Sequence, residues 1–293
     1  MAQGVAVRSS ERLALGAALV TVTFWSSAFV GIRAATPELS AGALALGRLI
    51  VGTLVLGAVV AVRREPLPGR RDLPAVVAVG VLWFGLYNVA LNAAERHVDA
   101  GTAAMLVNTA PIFIALIAGT VLHEGYPRRL LAGCAVGFAG ALVIGIATRA
   151  EHSVAGVGAL LCIVAALAYA IALVAQKPVV ERASPLAVTW LACTIGTVAC
   201  LPFAPSLVAD VGDAPASALA WTVYLGVFPT ALAFTTWAVA LSHTTAGRLG
   251  ATTYLVPPLA VLLGLIILGE TQPAAALLGG VLCLAGVVLA RWR

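Results

Sequence analysis

Residues 97–140 read HVDAGTAAMLVNTAPIFIALIAGTVLHEGYPRRLLAGCAVGFAG, and residues 243–286 read HTTAGRLGATTYLVPPLAVLLGLIILGETQPAAALLGGVLCLAG. The two stretches align without a gap at an offset of 146 residues, and twelve of the 44 aligned positions are identical. About four identities would be expected by chance in so biased a composition. The matches include Pro111 with Pro257 and Glu124 with Glu270, which an apolar composition does not favour. The chain therefore contains an internal repeat.

The composition of the whole chain is that of a membrane protein. Hydrophobic residues make up 61% of the chain and charged residues 10%, with a mean hydropathy of +1.05, whereas a soluble domain has roughly 25% charged residues. A spanning helix needs about 20 mostly apolar residues, and ten runs of that kind are present. They cover residues 13–33, 41–62, 73–94, 99–122, 129–147, 155–176, 186–209, 217–241, 247–268 and 273–291. We predict an all-α integral membrane protein with ten transmembrane helices.

The repeat divides these helices into two halves of five, residues 1–150 and residues 151–293. At an offset of 144 the first part of each half also matches, more weakly, with Trp25 aligned on Tyr169. Because each half contains an odd number of helices, the second half must enter the membrane in the opposite orientation. Inverted repeats of this kind recur in secondary transporters, with the substrate bound near the midplane where the halves meet.

Basic residues set the expected orientation. With ten spans both termini lie on one side, and that side collects thirteen of the seventeen Lys and Arg residues, against three on the other. Cytoplasmic loops carry the excess of basic residues, so both termini are expected in the cytoplasm and the protein in the cell membrane. The net charge of +5 reflects this bias, with the lipid bilayer as partner and no nucleic acid.

The remaining basic residue, Arg48, lies inside the second predicted helix. A charged side chain in the hydrocarbon costs several kcal/mol unless it is paired or solvated, so it is a candidate functional group. Its guanidinium could bind a carboxylate or phosphate of a substrate. Alternatively, because it lies only about 10 Å into the helix, it could reach the headgroups or cap a broken helix.

Other polar and aromatic side chains concentrate in helices 1, 3, 4, 6, 8 and 9 of the prediction. An unsatisfied polar group in lipid is costly, so these side chains should face protein or water. They predict a cavity for a small-molecule substrate, although hydrogen bonding between helices at perhaps 0.6 kcal/mol each is the alternative. The candidate substrate-binding residues are Trp25, Arg48, Trp83, Tyr87, Asn88, Asn92, Asn108, Tyr169, Gln176, Trp237 and Tyr254. Helices 5 and 10, which carry glycines and few polar residues, are predicted to form the scaffold.

Three prolines interrupt the predicted helices. Pro111 lies near the centre of helix 4, and Pro257 and Pro258 lie near the centre of helix 9. Each proline removes an amide donor and frees a carbonyl four residues earlier. The matched positions favour hinges between the two states of a transporter, with a static kink as the alternative.

Absent motifs exclude several classes of function. The chain has a single lysine and no GxxxxGK[ST] loop, which excludes ATP hydrolysis, and it lacks the HExxH and GxSxG signatures. The five cysteines fall inside predicted helices, where they act as small apolar residues. We therefore expect no enzyme activity, no cofactor and no metal. No acidic residue lies mid-helix, which favours exchange or facilitated movement, although interfacial Glu124 or Glu270 could still couple transport to protons.

Three motifs follow one another along the chain: the segment FWSSAF at residues 24–29, Pro37 followed by Arg48, and the twice-used order of Pro, Glu thirteen residues later, and Pro. In these motifs the sequence resembles the EamA-type drug/metabolite transporters. The resemblance covers nearly the whole chain and implies a ten-helix exporter or exchanger of amino acids, metabolites or toxic compounds with a central cavity. It names neither the substrate nor the oligomeric state. A passive small-solute channel and a membrane assembly or sensor protein that transports nothing are the alternatives.

Overall fold

The computed structural model describes residues 2–97, 103, 106–147, 155–268 and 274–291. These residues form helices joined by short connections, and no strand occurs among them. We number the helices α1 to α11 in chain order. They are α1 (Ala2–Ala35), α2 (Ala41–Arg63), α3 (Arg70–Ala94), α4 (Ala110–Val121), α5 (Arg128–Ala147), α6 (Ala155–Val180), α7 (Pro185–Ala199), α8 (Ala204–Asp213), α9 (Ala216–Ser242), α10 (Ala246–Ala251 and Val256–Leu268, joined by the 3-10 turn Thr252–Leu255) and α11 (Ala274–Arg291).

Six of these helices, α1, α2, α3, α6, α9 and α10, are long and apolar enough to cross a bilayer. The pair α7 and α8 would make a seventh crossing, but it is bent by 50°. The sequence predicted one spanning helix over residues 186–209. The bend follows Cys200, where prolines open both the 3-10 turn Leu201–Phe203 and α8, because proline fits the first turn of a helix and not its interior.

Helices α5 and α11 pack against each other along glycines. A Cβ on Gly133 would lie 2.6 Å from the carbonyl oxygen of Gly286, and a Cβ on Gly140 would lie 2.6 Å from that of Gly279. Gly279 and Gly286 are the repeat equivalents of Gly133 and Gly140 at the offset of 146. Gly133 thus packs on the equivalent of Gly140, and Gly140 packs on the equivalent of Gly133. This exchange makes the two helices antiparallel and relates them by an approximate two-fold axis.

Helices α2 and α7 also pack through residues that are equivalent in the repeat, here at the offset of 144. The hydroxyls of Thr53 and Thr197 are hydrogen-bonded at 2.8 Å, and the thiol of Cys193 lies 3.7 Å from the carbonyl oxygen of Leu49, to which it donates. Both pairs join a residue to its own repeat equivalent. Contacts of this kind occur where an approximate two-fold axis passes between two helices, as an inverted repeat requires.

Two helices contain a π-helical segment at repeat-related positions. The segment Gly80–Tyr87 lies in α3, and the segment Gly226–Leu232 lies in α9. Gly80 and Gly226 are themselves 146 residues apart. A π-helical turn bonds each residue to one five positions away and so rotates the faces of a helix, and such turns are frequent at functional sites.

Candidate functional site

A cavity lies between the two halves, from the middle of the molecule towards the end that carries the α1–α2 connection (residues 36–40). It holds about 640 Å³ of space not filled by atoms, with open solvent at its mouth included. Helices α1, α2, α3, α6, α9 and α10 and the turn before α4 contribute to its wall. The lining residues are Trp25, Ala28, Phe29, Ile32, Arg48, Trp83, Tyr87, Asn88, Leu91, Val107, Asn108, Tyr169, Phe234, Thr253 and Val256.

The π segment of α3 brings the residues of that helix to the cavity. Trp83, Tyr87, Asn88 and Leu91 all line it. Spacings of three and four residues place side chains on one face of a regular helix. Trp83 and Asn88 are five residues apart, and a π turn, whose hydrogen bonds span five residues, brings that spacing onto one face as well. The carboxamide nitrogen of Asn88 donates to the carbonyl oxygens of Trp83 and Phe84, at 3.2 and 2.9 Å. Asn88 thus satisfies carbonyls in the π segment, and its side chain is held in place by its own helix.

Five aromatic side chains, Trp25, Trp83, Tyr169, Phe234 and Trp237, pack together and are called the aromatic cluster below. The ring centroid of Trp83 lies 4.6 Å from that of Tyr169 and 4.9 Å from that of Phe234. The ring centroids of Trp25 and Trp237 are 4.8 Å apart. Trp237 is fully buried and lies one turn beyond Phe234 along α9, away from the α1–α2 end. The aromatic cluster therefore closes the cavity on its inner side.

Arg48 is the one charged residue among the described residues that line the cavity. Its side chain is only 4% exposed, and its Nε donates a hydrogen bond of 3.1 Å to Oγ1 of Thr230 on α9. In the described part of the chain this is the only hydrogen bond of the guanidinium, and the side chain makes no ion pair there. The guanidinium has the unused N–H donors with which such a group can bind a carboxylate or a phosphate.

Seven of the eleven candidate residues line the cavity. These are Trp25, Arg48, Trp83, Tyr87, Asn88, Asn108 and Tyr169. The hydroxyl of Tyr169 is buried without a hydrogen-bond partner among the described residues. Because an unpaired buried hydroxyl is costly, a bound solute at the cavity wall would satisfy it.

The other four candidates lie outside the lining. The carboxamide nitrogen of Asn92 donates a hydrogen bond of 3.1 Å to the carbonyl oxygen of Ala41 and so joins α3 to α2. Tyr254 packs on Gly137 in the core between α5 and α11. Trp237 belongs to the aromatic cluster behind the lining, and Gln176 is buried two turns beyond Tyr169 on α6, with its carbonyl oxygen unpaired among the described residues.

The candidate hinge prolines begin helical segments. Pro111 is the second residue of α4, after a turn at Asn108 and Thr109, so the helix expected over residues 99–122 is interrupted there. Pro257 is the second residue of the segment Val256–Leu268, after the 3-10 turn, and Pro258 is its third. The two breaks are 146 residues apart and lie beside lining residues. Proline fits these positions because a proline in the first helical turn leaves no amide unsatisfied.

Sequence reasoning missed Phe234 and Thr230. Phe234 lines the cavity and is the equivalent of Asn88 at the offset of 146, so the repeat could have identified it. Thr230 is the equivalent of Phe84 and carries no sequence signal, because its contact with Arg48 depends on how α2 packs on α9.

Polar contacts join the two halves at the end opposite the α1–α2 connection. The Glu124 carboxylate accepts from the amides of Ala246 and Gly247, at 2.7 and 3.1 Å, and so caps the first turn of α10. Asp72, at the start of α3, forms an ion pair with Arg182 in the α6–α7 connection. A carboxylate at a helix N-terminus is stabilised by the helix dipole. Glu270, the repeat partner of Glu124, lies outside the described residues.

Glu95 follows α3 directly, on the stripe that continues from Asn88 and Leu91. One carboxyl oxygen is buried without a hydrogen-bond partner in the described part of the chain. Burial raises the pKa of Glu95 to about 8, although the charges of Arg33 and Arg48 act in the opposite direction. Glu95 is therefore an ionisable group whose pKa lies in the neutral range, just beyond the membrane-spanning part of α3.

Comparisons with known proteins agree with this architecture. The model of the EamA-like transporter family matches the chain twice, over residues 12–146 and 156–292. A probable terminal-alkyne amino-acid exporter of Streptantibioticus cattleyicolor is 37% identical over 284 residues, which are 96% of this chain and 94% of the relative. A probable amino-acid metabolite efflux pump of Salmonella typhimurium is 25% identical over 93% of this chain and 92% of its own length.

A solved crystal structure with 20% sequence identity superposes with a TM-score of 0.74, over 95% of this chain and 96% of the other. At that identity the likeness concerns the fold alone. The family model, in contrast, covers both repeats, and the relatives align over nearly their whole length. The chain therefore belongs to the EamA-like transporter family.

Proposed function

We propose that this protein is a secondary transporter that exports or exchanges a small organic solute by alternating access between its inverted halves. The observation that carries the proposal is the cavity between the halves, with its aromatic wall and the buried Arg48. Side chains from α1, α2 and α3 of the first half and from α6, α9 and α10 of the second contribute to this wall. A rearrangement of the halves would therefore change the site directly.

The substrate class that fits this wall is a small carboxylated solute with an apolar body, such as a neutral amino acid. The guanidinium of Arg48 would bind the carboxylate, and the rings of Trp25, Trp83 and Phe234 would contact the apolar part. Asn88 and Tyr169 offer an acceptor and a hydroxyl at the same wall. The names of two relatives, an amino-acid exporter and an amino-acid metabolite efflux pump, support the same class.

The proposed topology has ten crossings, with both termini in the cytoplasm of a cell whose cytoplasmic membrane holds the protein. Seven crossings come from the six long helices and the bent pair, and α4, α5 and α11 supply the other three. The cavity then faces the outside, and the aromatic cluster, Glu124 and the Asp72–Arg182 pair close the cytoplasmic side. The structure would correspond to the state from which an exported solute leaves.

Counterflow in proteoliposomes tests the proposal. Vesicles are loaded with an unlabelled neutral amino acid, and a trace of the labelled compound is added outside, with L-leucine, L-phenylalanine and L-propargylglycine as the first probes. A carrier accumulates the label transiently, whereas a channel only equilibrates it. The absence of transport for amino acids, other metabolites and cationic dyes would contradict the proposal and favour an assembly or sensor role.

The variant Arg48→Ala tests the carboxylate anchor within the same assay. We expect its KM for the transported amino acid to rise at least tenfold, because a hydrogen bond to a charged group is worth about 1.5–3 kcal/mol. The matched control is Arg63→Ala, which removes an exposed arginine at the other end of α2. Equal KM values for Arg48→Ala and wild type would show that Arg48 does not hold the solute.

A further inference from the structure

The hydrogen bond between Arg48 and Thr230 joins the two halves inside the protein. Both side chains are buried, at 4% and 1% exposure, and the bond uses Nε of the guanidinium. A guanidinium has five N–H donors in a fixed fork. The four donors on the two terminal nitrogens have no partner in the described part of the chain, and Arg48 lines the cavity. Thr230 therefore fixes one edge of the fork and leaves the other edge for a ligand.

Glycines permit the approach of α2 to α9 on which this bond depends. A Cβ on Gly52 would lie 2.7 Å from Cγ2 of Thr230, and a Cβ on Gly226 would lie 2.8 Å from the carbonyl oxygen of Arg48. Both contacts involve the π segment Gly226–Leu232. A side chain at Gly226 would meet the backbone of Arg48 and separate the helices, and a side chain at Gly52 would displace the side chain of Thr230 or the helix that carries it.

The residue before Thr230 holds a second cavity side chain. Nε1 of Trp25 donates to the carbonyl oxygen of Pro229, at 3.3 Å. Consecutive residues of the second half therefore hold Trp25 of α1 and Arg48 of α2, which both belong to the first half and both line the cavity. The π segment of α9 supports two walls of the site at once.

The repeat shows that the fold does not require the Arg48–Thr230 pair. The equivalent contact, between α7 and the π segment of α3, keeps the close packing, because a Cβ on Gly80 would lie 2.7 Å from the carbonyl oxygen of Ala192. The equivalents of Arg48 and Thr230 in that contact are Ala192 and Phe84. The α3–α7 crossing therefore has the same close packing as the α2–α9 crossing, with neither a cation nor a hydroxyl at the equivalent positions.

We propose that Thr230 is the positioning residue of the substrate site: its hydroxyl orients Arg48 so that the two terminal nitrogens bind the carboxylate of the solute. This inference rests on the proposed function. Because Thr230 belongs to α9 and Arg48 to α2, a movement of the halves breaks or remakes the bond. The orientation of the anchor, and hence the affinity for the carboxylate, then differs between the two states of the transporter.

The test compares three variants in the counterflow assay, with the probe amino acid that gives the largest wild-type signal. Thr230→Val keeps the shape and removes the hydroxyl, and we expect its KM to rise about tenfold with a smaller change in the maximal rate. Thr230→Ser keeps a hydroxyl at this position, and we expect its KM to lie within about twofold of the wild-type value because the hydrogen bond to Arg48 is retained. The matched control is Thr222→Val on the same helix, whose hydroxyl bonds Ala218 of its own helix and whose KM should be unchanged.

The outcomes separate this inference from the proposed function. If wild type transports and Arg48→Ala raises KM while Thr230→Val does not, the positioning role is wrong and the proposed function stands. A fall in maximal rate with unchanged KM, not rescued by serine, would also overturn it, since that result indicates a structural role. If wild type transports none of the solutes, the proposed function itself fails. Should Thr230→Val not yield folded protein, Thr230→Ala replaces it with the same expectation.

Discussion

The two repeat-related crossings of this protein, α5 with α11 and α2 with α9, keep the symmetry of the repeat to different degrees. At the α5–α11 contact, Gly133 and Gly140 pack on the equivalents of each other, and the nearest atoms to these glycines belong to the backbone and to the side chains of Ala290 and Cys283. At the α2–α9 contact, the glycine packing is repeated in the other half, but the Arg48–Thr230 pair is replaced by Ala192 and Phe84. The repeat is thus preserved at the contact formed by glycine packing alone and is broken where a polar pair lies at the cavity wall.

The largest expected effect comes from a change at the symmetric contact. Gly140→Val would place side-chain atoms against the backbone of Gly279 and Cys283. Because neither backbone can retreat without separating α5 from α11, we expect a loss of about 3 kcal/mol of stability, at the upper end of the usual cost of overpacking. The melting temperature in detergent measures it, and size-exclusion chromatography reports the folded fraction.

The control for this change is Gly16→Val on α1, where an added Cβ meets nothing within 4 Å. A melting temperature of Gly140→Val that equals that of this control would show that α5 and α11 are not the rigid part of the fold.

A change at the asymmetric contact should have the opposite sign for stability. Arg48→Met replaces a buried cation with few hydrogen bonds by an apolar side chain of similar length. Taking a charge out of water costs several kcal/mol unless good partners offset this cost, and Arg48 makes one hydrogen bond in the described part of the chain, so we expect a higher melting temperature with transport lost. A decrease in the melting temperature on Arg48→Met would mean that Arg48 is a structural residue.

Glu95 offers a pH-dependent test of the same asymmetry, because its repeat equivalent is the buried Leu241. Burial raises the pKa of Glu95 from 4.5 to about 8, so the folded protein holds a proton that the unfolded chain releases between these values. The stability contributed by this group is full below pH 4.5 and is lost as the pH rises towards 8. Glu95→Gln removes the titration.

We therefore expect the melting temperature of Glu95→Gln to rise relative to wild type between pH 4.5 and pH 8. A difference that stays constant over this range would place the Glu95 carboxyl in water.

The smallest expected effect concerns the threonine pair on the approximate two-fold axis. Thr53→Val or Thr197→Val removes the same hydrogen bond, so each should cost about 0.6 kcal/mol, and the double variant should cost little more than either single one. Thermal unfolding of the three variants measures this. Additive losses would show that the two hydroxyls act independently and that their contact is not the stabilising element.

Part of the site could be predicted from the sequence because intramembrane polar residues are rare and costly. Arg48, Trp83 and Asn88 were identified on that ground, and they line the cavity. The same argument also selected two residues outside the lining: Tyr254 packs on Gly137, and Asn92 donates a hydrogen bond to the carbonyl oxygen of Ala41. Helical periodicity fixes which residues share a face of a regular helix, but it does not fix which neighbour that face meets.

The sequence by itself determined the positions of the long apolar helices and the existence of the repeat, because both depend on runs and offsets of residue types along the chain. The tertiary structure alone decided the bend after Cys200, the break before Pro111 and the contact of Thr230 with Arg48. The bend and the break occur where prolines open helices, and the contact of Thr230 with Arg48 depends on a π-helical segment and on the glycines that let α2 approach α9. Such effects arise only when distant segments pack against one another.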